Sequence, residues 1–116
     1  MANVDDKIMT NPEKVDYILD GICTYFGVEK KAMCNKNYSR SHIFDKKRYA
    51  MVILYDYTAC SFGDIKRLLG YHAATVILYH YKNLKQELSG ELYGSEKVKR
   101  TYNDLLTYLK LKDNES

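Results

Sequence analysis

The chain has 116 residues, 46% of them hydrophobic and 28% charged, with a formal net charge of +3. That length suits one domain with tails, and no run of about 18 apolar residues is present to span a membrane. The Walker loop of an ATPase is missing, and one Pro with six Gly is too few for a turn-rich β sandwich.

Residues 1–10 read as a mobile tail. They carry Asp5 and Asp6 and no apolar h-region, so no signal peptide is expected. Asn11, Pro12 and Glu13 open a first helix, with Asn as cap and Pro at the first helical position. Val15, Ile18, Leu19, Ile22 and Phe26 form one apolar stripe, and Gly27 is the expected stop. A short helix follows over 28–34, with Val28, Ala32 and Met33 facing inward. Asn35 to His42 has no periodicity and reads as a loop. Asp45 is the expected cap of a helix over 46–57. That segment is charged in its first turn and apolar from Tyr49 to Tyr55, as in a helix buried at the centre of a small domain. Its composition also suits a strand, but its length and capped entry favour a helix.

Ser61 with Asp64 matches a capping box that opens a short helix over 62–69, with Phe62, Ile65, Leu68 and Leu69 on one face and Gly70 at its end. A longer helix over 73–88 comes next. Val76, His80 and Leu84 lie on its apolar stripe, widened by Ile77, Tyr81 and Leu88. Short helix, glycine turn and longer helix make a helix-turn-helix. Ser95 is the expected cap of a last helix over 96–111, with Val98, Tyr102, Leu105, Leu106 and Leu109 inward. Residues 112–116 should fray. The expected fold is therefore all-α, a compact six-helix single domain over 11–111.

Positive charge is concentrated locally. Residues 28–48 hold Lys30, Lys31, Lys36, Arg40, Lys46, Lys47 and Arg48 against Glu29 and Asp45, a net +5. Such a run is either a solvated basic loop or the patch that a polyanion requires. Cys23, Cys34 and Cys60 are odd in number and include no C-x-x-C pair, which suits reduced thiols in a cytoplasmic protein. Cys34 and His42 lack a recognised zinc-ligand spacing, so no metal is expected, and no cofactor. His42, His72 and His80 belong to no catalytic signature, and no acid–base pair stands out, so no enzymatic activity is expected. His80 reads as a core or boundary histidine. Most of the 12 tyrosines read as core-boundary residues, Tyr38 in the basic loop and Tyr71 in the turn excepted.

Several stretches recur in a known order. They are Ser39-Arg40-Ser41, Lys47-Arg48-Tyr49-Ala50-Met51, Thr58-x-x-Ser61-Phe62-x-Asp64-Ile65, Leu69-Gly70 and Thr75-Val76. Over about four fifths of its length the chain resembles the C-terminal DNA-binding domain of the bacterial chromosomal replication initiator DnaA. The resemblance implies a Trp-repressor/DnaA C-terminal-like helical fold that binds double-stranded DNA in DNA replication. The family's turn reads Gly-Arg-Asp-His-[Ser/Thr]-Thr-Val, where this chain has Gly70-Tyr71-His72-Ala73-Ala74-Thr75-Val76. The initiator's ATPase module is absent, so no nucleotide partner is expected.

On that resemblance, the helix over 73–88 lies in the major groove and Arg40 reaches the adjacent minor groove. Lys46, Lys47, Arg48, Ser61, Lys66 and Arg67 are expected to hold phosphates. Tyr71 and His72 sit at the helix N-terminus, where backbone N–H groups favour a phosphate. Ala73 or Ala74 can meet a thymine methyl, and Thr75 a base or a phosphate. The turn carries no guanidinium or amide for bidentate base reading, so modest or altered sequence specificity is expected. The alternative is a protein–protein interaction module that has lost DNA recognition. In that case Ala73, Ala74, Ile77 and Leu78 would form an exposed apolar patch for a partner helix or a second copy.

Overall fold

The computed structural model describes residues 12–34, 41–90 and 95–111. These form six helices and, among the described residues, no strand: α1 Pro12–Phe26, α2 Lys30–Met33, α3 Ser41–Tyr57, α4 Phe62–Leu69, α5 Ala74–Leu88 and α6 Ser95–Tyr108. The all-α six-helix expectation holds. The expected Asn11 cap, the tails over 1–10 and 112–116, and Tyr38 and Arg40 of the basic loop lie outside the described residues.

Helix α3 is the axis of the domain. Tyr49 to Leu54 are all buried, so neighbours must cover every side of the helix. α1, α2, α4 and α5 each pack against it, and α6 closes over α1 and α5. α1 contributes Val15, Ile18, Leu19, Ile22 and Cys23 to the core, and α6 contributes Leu105, Leu106 and Leu109.

α3 begins five residues earlier than the expected start at 46. Ile43 is buried, and the ring of Phe44 meets His80 of α5 edge-on at 4.5 Å. Both side chains draw the first turn onto the core, so Asp45 is an exposed position inside the helix and not its cap. α6 ends at Tyr108, not at 111. Lys110 adopts a left-handed conformation (φ 62°), the Leu111 N–H donates to the Leu106 carbonyl, and Leu111 is buried. This is a Schellman ending with lysine where glycine is usual. Gly27 closes α1 in the same way, at φ 72°, with the Val28 N–H donating to Cys23.

No helix among the described residues is long and apolar enough to cross a membrane.

Candidate nucleic-acid interface

The link from α3 to α5 is built by short-range hydrogen bonds. The Thr58 hydroxyl donates to the Leu54 carbonyl and accepts from the Cys60 N–H at 3.0 Å, turning the chain at the end of α3. Ser61 then caps α4 reciprocally. Its Oγ accepts from the Asp64 N–H at 3.1 Å, and its own N–H donates to the Asp64 carboxylate at 3.0 Å. Asp64 also pairs with Arg67, and together these donors hold its carboxyl below the usual carboxylate range. Gly70 ends α4 at φ 81°, and the Tyr71 N–H donates back to Lys66. Thr58, Ser61 and Asp64 thus form the turn and the cap.

The far side of α4 and α5 is tied to α3 by an aromatic cluster. Tyr55 and Phe62 stack at 4.1 Å, and Tyr81 meets both edge-on. The Tyr81 hydroxyl donates to Asp56 at 2.7 Å, and Lys85 pairs with the other Asp56 oxygen at 2.9 Å. Burial and the Asp56 carboxylate push the Tyr81 phenol well up. Ile65, Leu69, Ile77 and Leu84 are fully buried beneath the two helices. The orientation of α5 is therefore fixed on its inner face by packing.

Its outer face follows from the same geometry. Thr75, Tyr79, Lys82 and Gln86 are exposed, and at 100° per residue they fall within an arc of about 60° over about 16 Å of helix. His72, exposed in the turn, leads into this stripe. The stripe carries hydroxyl, phenol, ammonium and amide groups and no carboxylate. Glu87, the acidic residue of α5, is turned away and bonded to Arg48 at 2.9 Å. Tyr79, Lys82 and Gln86 are not among the residues singled out from the sequence. They are the complement of the Val76–His80–Leu84 stripe and could have been read from it.

The basic run does not form one patch among the described residues. Lys47 is 0% exposed, so the expected phosphate contact there is withdrawn. It shares a face with Ile43, Ala50 and Leu54 at helical spacing, its ammonium lies 5.0 Å from the centre of the Tyr71 ring, and burial lowers its pKa from 10.5. Arg48 is corrected likewise: its side chain is 15% exposed and clasps α5 through Glu87. Tyr71 turns inward, and its hydroxyl is buried with no hydrogen-bond partner, so it is not a phosphate ligand at the helix N-terminus. Lys30 pairs with Asp16 and Asp20 of α1, and Lys46 lies over Phe26. Arg40 lies outside the described residues.

The other named positions remain near the turn. Ser61, Arg67, His72 and Thr75 are exposed, while Lys66, Ala73 and Ala74 are half-buried. Ala73 is the N-cap of α5 and not its first helical residue, and its methyl supplies no cap hydrogen bond. The apolar patch expected for an interaction module is not formed, because Ile77 is buried and Ala73, Ala74 and Leu78 are half-buried. His80 is a boundary histidine whose pKa is lowered by burial and by Arg48. Among the described residues, no three His, Cys, Asp or Glu side chains converge on a metal-sized site.

No protein-family model matches the chain, and neither a curated protein nor a solved structure matches it.

Proposed function

We propose that this chain is a cytoplasmic, double-stranded-DNA-binding domain whose second helix-turn-helix element, α5, enters the major groove. The observation that carries the reading is the outward stripe Thr75, Tyr79, Lys82 and Gln86. It is a row of hydrogen-bonding and cationic groups without a carboxylate, on a helix whose opposite face is locked into the core. A duplex repels carboxylates and offers donors and acceptors along its groove, so such a face suits it.

Lys66 and Arg67, in the last turn of α4, flank the glycine turn and are suited to phosphates, as is His72. Lys47, Arg48 and Tyr71 drop out of the interface because they serve the core. Gln86 supplies an amide that the turn itself lacks, although it stands three turns along the helix. We read the domain as a divergent, stand-alone relative of the initiator's DNA-binding domain, with altered specificity and no catalytic role. Replication is the context that the resemblance suggests.

The test is a mobility shift with random duplexes, followed by selection and sequencing. Retarded complexes at low salt are expected, with an enriched motif of a few base pairs. Failure to shift any duplex at low salt would overturn the reading.

A further inference from the structure

We propose that Tyr79 reads a thymine methyl group in the major groove, so that the preferred duplex carries thymine opposite the middle of α5. The proposal rests on the reading of α5 as the DNA-facing helix and adds to it a specificity-determining residue and the base that residue selects.

Tyr79 is 64% exposed, the highest value among the large hydrophobic side chains exposed in the described chain. Its ring stands apart from the Tyr55–Phe62–Tyr81 cluster. It makes an edge contact with His80 at 5.2 Å, which restrains the ring without burying it. On the outer stripe its neighbours are Thr75 one turn before and Lys82 one turn after. These neighbours are small or polar, so Tyr79 supplies the one large apolar surface on the stripe.

The groove has a matching feature. Base edges there present donors and acceptors, and the single apolar group among them is the C5-methyl of thymine. A phenol ring laid against that methyl removes apolar surface from water on both sides, while its hydroxyl stays free to hydrogen-bond. The helix rise from Thr75 to Tyr79 is about 6 Å. Tyr79 therefore addresses a different base pair from the one nearest the turn. Ala73 and Ala74, considered for this contact from sequence, are half-buried and present less apolar surface.

The experiment uses the full chain and the duplex obtained by selection, with each thymine replaced in turn by deoxyuracil, which lacks only the methyl. Wild type should bind about fourfold more weakly at one or two of these positions, the effect of exposing one buried methyl. Tyr79→Phe should keep that discrimination. Tyr79→Ala should bind thymine and deoxyuracil duplexes alike, with an unchanged salt slope and an unchanged helical circular dichroism spectrum. Wild type indifferent to every replacement, or Tyr79→Ala still discriminating, would overturn the proposal and leave DNA binding standing. Selection that yields no sequence preference would overturn it in the same way. Absence of binding to any duplex would instead remove the DNA reading on which the proposal rests.

Discussion

Replacing Ser61 with alanine tests the entry into the helix-turn-helix. The substitution deletes the acceptor that Ser61 Oγ offers to the Asp64 N–H at 3.1 Å, and it leaves the reverse bond from the residue-61 N–H to the Asp64 carboxylate. An N-cap serine changed to alanine costs about 1 kcal/mol. For a chain of this length the unfolding entropy is about 0.24 kcal/mol per kelvin, so the melting temperature should fall by about 4 °C. The two bonds are reciprocal, so the effects of Ser61→Ala and Asp64→Ala should not add. A thermal-melt double-mutant cycle should give a coupling of at least about 0.5 kcal/mol.

The pH dependence has a definite sign. The folded carboxyl of Asp64 titrates below its ordinary 3.8, so its stabilisation is complete above that value and is lost as the pH falls through the lowered folded value. The advantage of wild type over Asp64→Asn should vanish in the same acidic range. If Ser61 also meets a phosphate, Ser61→Ala should weaken binding to all duplexes alike and leave the log–log salt slope unchanged, because a hydroxyl neutralises no phosphate charge. An unchanged melting temperature with strictly additive double mutants would refute the capping argument.

Lys110→Gly should raise stability by about 1 kcal/mol in a thermal melt, because it removes a left-handed non-glycine residue while keeping the Leu111–Leu106 closure. Asp56→Ala should destabilise by about 1 kcal/mol, since it removes the partner of both Tyr81 and Lys85 at an exposed site, and ultraviolet titration should show a tyrosine returning toward its ordinary value of 10.0. Lys47→Met should leave duplex affinity unchanged at neutral pH, because the ammonium does not reach the surface. Burial lowers the folded pKa of Lys47 below 10.5, so wild type should gain stability relative to Lys47→Met as the pH rises toward that value, as read by denaturation at several pH values.

Local chemistry made most of the fold legible in the sequence. Pro12, Gly27, the Ser61–Asp64 box and Gly70 act within a few residues of themselves, and each marks its boundary where expected. The start of α3 and the end of α6 depend on distant packing. Ile43 and Phe44 extend α3 because a core and His80 await them, and Lys110 turns because Leu111 is drawn inward. Lys47 and Arg48 misled for a related reason. A lysine in a basic run resembles a surface residue, and only its helical spacing with Ile43, Ala50 and Leu54 shows that it lies on the buried face. In the candidate interface, the helix-turn-helix frame was readable. The outward stripe is less visible, because Tyr79, Lys82 and Gln86 belong to no motif and show only as the complement of the Val76–His80–Leu84 stripe.

The central claim is tested most directly by the salt dependence of duplex affinity. Lys66, Lys82 and Arg67 are exposed or half-exposed cations around α4 and α5. Neutralising two to four phosphates predicts a log–log slope of about −2 to −4 between 50 and 200 mM salt, with Lys82→Ala making it shallower by about 0.9. A slope near zero, or a slope that Lys66→Ala and Lys82→Ala both leave untouched, would contradict the assignment of α5 as the DNA-facing helix.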